Sequence, residues 1–401
     1  MNKKVSLGVC ISLVIIAVTA SFAGTMVFSK QIYNRIISNI SQRAESYDAA
    51  NEIYKLISDN FYGKLDDFNN NLDAHVAKGY VDGLGDSNCC YMSSSEYAEY
   101  INKTEIGITG AGVETGFNGD KNEMYISYVY EGSPAKTAGL EAGDVILSVN
   151  GTQVTPKNRK SLAAKFYGTK LQTVSLEYER AGAKNTAELI MGFSIPSVIV
   201  RDVDGVGYIR ISRFYKKTPE EFETALAAIK ESGASSVVID VRNTNEGTIE
   251  YASQTVDVIV GNVTGNIATA KYKNGKTKTF NANAGDYNDM DFAVLINSGT
   301  SGPAELFAVD IKDISHASLV GTTTAGVGTM QEIFTLEDGS AIRLTTALIV
   351  PYSELSSYNE TGVSPTGDEI PMDESADILM LSADEDIPLK TAAAILAENY
   401  S

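Results

Sequence analysis

The residues best placed to perform chemistry lie in the stretch 292–321. The apolar run Phe292–Asn297 predicts a buried strand, and the glycine-containing residues after it predict a tight turn that carries the hydroxyls of Thr300 and Ser301. A helix is predicted to begin at Pro303. A nucleophile at such a corner would lie at a helix N-terminus, where free N–H groups and the helix dipole favour developing negative charge. The stretch therefore indicates a hydrolase corner.

This stretch resembles the carboxyl-terminal processing peptidases, which are serine endopeptidases with a Ser/Lys dyad. Their pattern is roughly N-x-G-[ST]-A-S-A-[SA]-E, followed by L-V-G-x-x-[TS]-x-G-K-G-x-x-Q. The residues in register with it are Asn297, Gly299, Thr300, Glu305, Leu319, Val320, Gly321, Thr324, Gly326, Gly328 and Gln331. The two chemical positions do not match, because Gly302 stands at the nucleophile position and Val327 at that of the general-base lysine.

Both positions that donate hydrogen bonds to the oxyanion in the family are also altered. The residue after the nucleophile should donate its backbone N–H, but Pro303 has none. The other donor comes from the first paired glycine of D-x-R-N-N-P-G-G, where this chain has Glu246, whose charge would repel an oxyanion. The resemblance implies that Gln331 is a remnant of the dyad's hydrogen-bond partner.

These mismatches favour a catalytically silent relative that binds peptide tails or partner proteins. The alternative is an active endopeptidase with a displaced nucleophile, Ser301 or Thr300. We expect those hydroxyls instead to cap the helix that begins at Pro303. They also lack an evident base, because Lys312 lies roughly 15 Å further along the helix. A third interpretation is a register error that moves a real dyad onto other residues.

A second region, Tyr128–Val154, closely resembles PDZ domains. PDZ domains bind an extended peptide at a sheet edge and capture its terminal carboxylate in a loop of backbone amides. The resemblance assigns Gly110, Ala111, Gly112 and Val113 to that loop. The sequence therefore predicts binding of C-terminal peptide tails, with a purely structural PDZ domain as the alternative.

The N-terminus predicts a membrane anchor, because residues 5–28 form an almost unbroken apolar run long enough to cross a bilayer. Lys3 and Lys4 precede this run and favour a cytoplasmic N-terminus, which places the chain from Ser29 onward outside the cell membrane. A cleaved signal peptide, with a cleavage site at residues 21–23, is the alternative.

Composition narrows the remaining classes of partner. The 401 residues are 43% hydrophobic, enough for several domains, and carry a formal charge of −19. This charge argues against nucleic acid or an anionic membrane surface as a partner, because both require clustered Lys and Arg. His75 and His316 are the only histidines, and Cys89 and Cys90 are neighbours, so neither a zinc site nor a cofactor is expected.

The expected fold is α/β, with βαβ units in the core. The resemblance implies a crotonase-like peptidase core, an inserted PDZ domain and an N-terminal transmembrane helix. The predicted divisions are a transmembrane anchor (1–29), a helical stalk and N-terminal segment (30–103), a PDZ domain (104–192), a peptidase-like core (193–375) and a C-terminal helical segment (376–401). Helical spacing in the stalk allows either pairing with a second copy or packing on its own chain. Ser93 to Ser95, followed by Glu96, are predicted to cap a helix.

Overall fold

The structure is a computed structural model that describes residues 48–398, except 63, 67, 69–70, 204, 261–264, 284, 286, 288, 354–356 and 374–375. The chain divides into two units, Met1–Val76 and Ala77–Ser401. The predicted anchor, 1–29, and the first part of the predicted stalk lie outside the described residues. Within the described part of the chain, no helix is both long and apolar enough to span a bilayer.

The first unit contains a helix over residues 48–60, which lies in the predicted stalk. Its side chains Ile53 and Leu56 are exposed within the described chain.

The remaining helices and strands are numbered in chain order. The helices are α1 (Leu72–Asp82), α2 (Ser94–Ile101), α3 (Pro134–Thr137), α4 (Arg159–Ala163), α5 (Thr218–Glu231), α6 (Ile249–Ile259), α7 (Pro303–Ser315) and α8 (Ile387–Glu398). The strands are β1 (Cys90–Met92), β2 (Ile108–Gly110), β3 (Val113–Asn118), β4 (Glu123–Val129), β5 (Val145–Val149), β6 (Thr152–Gln153), β7 (Thr173–Arg180), β8 (Ala183–Ile190), β9 (Phe193–Ile195), β10 (Val198–Val203), β11 (Val206–Ile211), β12 (Ser236–Asp240), β13 (Gly265–Tyr272), β14 (Thr277–Ala282), β15 (Asp291–Ile296), β16 (Ser318–Gly321), β17 (Thr329–Thr335) and β18 (Ala341–Val350). A π-helical turn, Asn102–Ile106, follows α2, and a 3-10 turn, Ala164–Phe166, follows α4.

The predicted PDZ region forms an antiparallel sheet of strand order β3-β4-β5-β7-β8, with β6 paired to β5. Strand β7 shows why it belongs to a half-buried sheet, since Val174, Leu176 and Tyr178 are buried and alternate with exposed residues. These side chains share one hydrophobic core with residues of β3 to β5, α3 and α4. A separate two-stranded ladder pairs β2 with β9.

The core contains a second sheet, of order β10-β11-β12-β15-β16, in which all neighbours except β10 and β11 are parallel. Alternate residues of its strands enter different hydrophobic cores, as the two-residue period of a strand requires. For example, Val237 and Ile239 of β12 pack in the core that contains helices α5, α6 and α7, whereas Val238 packs with Leu389 of α8. Helices therefore cover both faces of this sheet.

An antiparallel sheet of order β1-β18-β13-β14 completes the core, with β17 also paired to β18. Strand β1, which precedes the PDZ region in sequence, pairs with β18 through Cys90 and Arg343. The PDZ region contacts the core through a small apolar cluster of Tyr130, Ile195 and Ile199. The unit from Ala77 onward is thus a mixed α/β fold.

Candidate functional site

The predicted corner is present between β15 and α7. Gly302 precedes the helix with φ 58° and ψ −110°, a conformation that side chains rarely adopt. Strained strand-to-helix turns of this kind expose the nucleophile in α/β-hydrolases. A Cβ built on Gly302 would meet nothing within 4 Å. The backbone therefore has room for a side chain at a position that carries none.

One buried carboxylate connects the predicted nucleophile position to the predicted base position. Glu305 is fully buried in the first turn of α7. Its Oε2 accepts the backbone N–H groups of Gly302 and Val327, each at 2.8 Å. Its Oε1 accepts the N–H of Gly326 at 2.6 Å and the hydroxyl of Thr324. The chain thus brings Gly302 and Val327 to the same carboxylate. This proximity supports the alignment with the family pattern, which places the nucleophile at Gly302 and the base at Val327.

A cavity of about 490 Å³ lies over this corner. The predicted site residues that line it are Glu246, Ser301, Gly302, Pro303, Val327 and Gln331. The side-chain amide of Gln331 donates to the Thr329 hydroxyl at 3.0 Å on its own strand and to the Thr345 hydroxyl at 3.4 Å on β18. All family positions from the nucleophile to the glutamine therefore meet at one cavity.

Glu246 places a carboxylate at this cavity. Its side chain is exposed, and its Oε2 accepts the hydroxyl of Tyr215 at 2.7 Å. Burial, followed by the charge of Glu246, raises the pKa of Tyr215 above its ordinary value. Glu246 keeps its backbone N–H, but its carboxylate would repel an anionic intermediate in this cavity.

The predicted capping role of Thr300 and Ser301 is wrong. Thr300 is fully buried, and its hydroxyl donates to the Val241 carbonyl at 2.9 Å. The helix has no cap from either hydroxyl, because Glu305 instead accepts the Gly302 N–H. Glu305 can accept this N–H because it lies in the first turn of the helix. The Thr300 hydroxyl cannot cap the helix because it is bonded to the carbonyl of Val241, just after β12.

Ser301 is the one hydroxyl of the turn that faces the cavity. Its side chain makes no hydrogen bond with any residue that the structure describes. Lys103 lines the same cavity, but its Nζ lies 2.8 Å from Glu99. Lys312 is half-exposed and lies 3.8 Å from Asp313. No base is therefore hydrogen-bonded to Ser301.

Two asparagines connect the strand ends behind the corner. The side-chain oxygen of Asn297 accepts the Asn243 N–H at 2.9 Å, and its amide donates to the Asn243 side chain at 2.9 Å. The same oxygen accepts the Gly299 N–H at 3.1 Å. A Cβ at Gly299 would approach Asn243 Oδ1 to 2.4 Å, so a larger residue there would displace the Asn243 side chain. The turn is fixed to β12 by this pair.

A buried ion network lies behind the same strand ends. Arg242 is fully buried and contacts Asp240 at 2.6 Å and Asp386 at 2.7 Å. Asp240 also accepts the hydroxyl of Tyr208 at 2.7 Å. Burial raises the pKa of Asp240, but Arg242 and Arg210 outweigh it, and the net pKa is lowered to about 2. Asp386 connects the residues just before α8 to the centre of the sheet.

The structure buries all four residues predicted to bind a carboxylate, Gly110, Ala111, Gly112 and Val113. The Ala111 N–H donates to the Phe166 carbonyl at 2.8 Å. In this conformation the Ala111 amide is therefore not free to bind a ligand.

Sequence reasoning did not identify several residues that line the corner cavity, including Cys90, Lys103, Tyr215 and Arg343. They come from distant segments, and no local spacing connects them. Within the described residues, no group of three His, Cys, Asp or Glu side chains could hold a metal ion.

Comparison with known proteins places these features in a family. The sequence models of Peptidase family S41 and of the PDZ domain match residues 205–368 and 125–180. The carboxy-terminal processing protease CtpA of Bacillus subtilis (strain 168) is 30% identical over 304 residues, which are 75% of this chain and 64% of that protein. The carboxyl-terminal-processing protease of Synechocystis sp. is 30% identical over 264 residues, 64% of this chain and 61% of that protein. The chain thus spans less than two thirds of these relatives.

A solved structure agrees at the level of fold. A Bacteroides fragilis NCTC 9343 protein described as an S41 protease superposes with a TM-score of 0.52 at 20% identity, covering 73% of this chain and 84% of the other. Given this fold and the sequence matches, the chain belongs to peptidase family S41, carries a PDZ domain and is a homologue of the carboxy-terminal processing proteases.

Proposed function

We propose that this chain is a catalytically silent member of its family that binds peptide tails or partner proteins. The observation that carries the proposal is the pair Gly302 and Val327, which share one oxygen of Glu305 at the two chemical positions. A hydrogen atom and an isopropyl group replace the attacking hydroxyl and the proton acceptor.

The oxyanion positions support the same conclusion independently. Pro303 has no N–H to donate, and the carboxylate of Glu246 lines the cavity. Removing one oxyanion donor costs about 100-fold or more in rate. A nucleophile at a neighbouring position would therefore still lack stabilisation of its intermediate.

Peptide binding is supported by what the cleft retains. The cavity of about 490 Å³ is of the size that ligand sites have, and residues 125–180 match the PDZ domain. Strand β3 has a single strand neighbour, β4, in the described sheet, so its other edge can accept an extended peptide.

The wider proposal includes a crotonase-like core and a single N-terminal transmembrane helix. The N-terminus would be cytoplasmic and the rest of the chain extracytoplasmic. The apolar run 5–28, preceded by Lys3 and Lys4, supports this arrangement.

The test uses the purified full-length chain and an unfolded protein with an apolar C-terminal tail. We expect the substrate to remain intact while peptides with the same tail bind the chain. Cleavage that stops in Ser301→Ala would instead support the alternative, an endopeptidase with a displaced nucleophile. If no peptide binds at millimolar concentration, the PDZ domain is only a structural element.

A further inference from the structure

A second cavity, of about 560 Å³, lies between the PDZ domain and the core. Ala164, Tyr167 and Thr169 line it from the PDZ side, and Arg213 lines it from the core side. It shares Glu99, Lys103 and Glu246 with the cavity over the corner. A chain that occupies one cavity can therefore extend into the other. We call this second space the interdomain cavity.

Arg213 is the unusual residue of the interdomain cavity. Its exposed fraction is only 8%. Its Nη2 donates to the carbonyls of Ile195 and Pro196, each at 3.0 Å. Its Nε and Nη1 have no partner among the described residues, and it forms no ion pair with any carboxylate there. Three N–H bonds of a buried cation are thus available to the cavity.

Two other arginines differ from Arg213 in forming ion pairs, although Nη1 of Arg210 has no hydrogen-bond partner among the described groups. Arg210 and Arg242 both pair with Asp240, at 3.5 Å and 2.6 Å. A buried charge without a partner is unfavourable, so buried charges in proteins are normally paired. Arg213 departs from this rule at a place where a ligand can supply the missing charge.

The two carboxylates that line this cavity, Glu99 and Glu246, form no ion pair with Arg213. Glu246 lines the same cavity, but its Oε2 is bonded to the hydroxyl of Tyr215. The guanidinium lies 5.9 Å from the centre of the Tyr215 ring. Lys103 and Glu99 both line the cavity and pair with each other at 2.8 Å.

We infer that Arg213 forms a subsite for a carboxylate of a bound peptide, separate from the predicted loop Gly110–Val113. A guanidinium with adjacent free N–H groups matches the two oxygens of a carboxylate. The Ala111 amide of the loop is bonded within the PDZ domain, whereas Arg213 has free donors. This subsite rests on the proposed peptide binding and specifies its chemistry.

The carboxylate has two sources, the C-terminus of the peptide or an acidic side chain. Three acetylated peptides of the same alanine- and valine-rich sequence separate them. The first has a free C-terminus, the second is amidated, and the third is amidated with one alanine replaced by glutamate. Binding to the full-length chain is measured by calorimetry for wild type, Arg213→Gln, Arg213→Lys and the control Lys276→Gln, whose lysine is exposed on a distant turn.

We expect at least one of the two peptides that carry a carboxylate to bind wild type more tightly than the amidated peptide without glutamate. Arg213→Gln should weaken that binding at least about tenfold and leave the neutral amide unchanged. Lys276→Gln should have no effect. Should Arg213→Gln not fold, Arg213→Lys keeps the charge and should still weaken the acidic peptide, because lysine lacks the two-pronged donor geometry.

The outcomes separate this subsite from the proposed function. If all three peptides bind equally well and Arg213 variants change nothing, the subsite is refuted while peptide binding stands. If no peptide binds wild type, the subsite and the proposed function both fail.

Discussion

The corner of this molecule and the framework around it differ in how well they match the family pattern. In the framework, Glu305 accepts four hydrogen bonds, the Asn297 side chain bonds both the backbone N–H and the side chain of Asn243, and Arg242 pairs with two aspartates. The chemical positions carry a glycine and a valine. Relative to the family pattern, framework residues such as Asn297 and Glu305 are thus present, whereas glycine and valine stand where the pattern has its nucleophile and base.

This difference has a physical basis. The framework contributes to folding stability, because each buried polar group would be costly if its partner were lost. A nucleophile and its base contribute little to stability, so their loss leaves the fold intact. Under the proposed function, the cleft therefore keeps its shape for binding without carrying out the reaction.

The largest expected effect is the loss of a framework charge. Asp240→Asn should lower the free energy of unfolding by about 3 kcal/mol or more, because it leaves the buried Arg242 with one charged partner instead of two. Denaturant titration measures this change. The matched control is Asp289→Asn, which removes an exposed partner of Lys230 and should change stability by less than about 1 kcal/mol. Equal losses in the two variants would show that the network does not stabilise the fold.

The second prediction concerns the chemical positions. The double variant Gly302→Ser, Val327→Lys should show little cleavage of an unfolded tailed substrate, because Pro303 still provides no N–H. Adding Pro303→Ala should raise the rate about 100-fold, equivalent to about 2.7 kcal/mol of barrier. Pro303→Ala alone is the control and should remain inactive. Equal rates for the double and triple variants would mean that Pro303 is not a limiting defect.

A smaller effect is expected from the residue that connects corner and framework. Glu305→Gln places an amide group against backbone N–H donors and should lower the free energy of unfolding by about 2 kcal/mol. Urea titration provides the measurement. Glu332→Gln is the comparison, because an amide oxygen there can still accept the hydroxyl of Tyr272. Glu332→Gln should be nearly neutral, and an equally neutral Glu305→Gln would contradict the proposed role of Glu305.

The smallest effect is a difference in pH dependence between two fully buried aspartates. The pKa of Asp240 is lowered to about 2, so its stabilisation is complete above its unfolded pKa near 4 and disappears as the pH falls towards 2. Burial raises the pKa of Asp310, and its Oδ2 has no partner among the described groups. Asp310 therefore destabilises the fold increasingly as the pH rises above about 4.

Unfolding of the Asp240→Asn and Asp310→Asn variants between pH 2 and 8 tests this difference. Asp240→Asn should remove part of the loss of stability in acid. Asp310→Asn should gain stability relative to wild type as the pH rises. Parallel pH profiles for wild type and both variants would contradict the assignment.

Local sequence signals predicted the positions of the elements well. The buried strand was expected at Phe292–Asn297 and is observed at Asp291–Ile296, and α7 begins at Pro303 as expected. The predicted cap is also confirmed, because Ser93 and Glu96 form a reciprocal capping box. These features depend on residues a few positions apart, which a sequence shows directly.

Long-range partners could not be predicted in this way. Asp386 pairs with Arg242 across 144 positions, and Cys90 reaches the corner cavity only because β1 pairs with β18. The role of the Thr300 hydroxyl was mispredicted for the same reason, since its acceptor lies on a neighbouring strand end. Arg213 carried no sequence signal, because its missing partner becomes visible only in the folded chain.

The most direct test of the silent corner is labelling of the full-length chain with a fluorophosphonate probe, which reacts with activated serines. We expect wild type to incorporate no more label than the heat-denatured chain, because Gly302 has no hydroxyl and Ser301 has no hydrogen-bonded base among the described residues. Labelling of wild type that disappears in Ser301→Ala would contradict it.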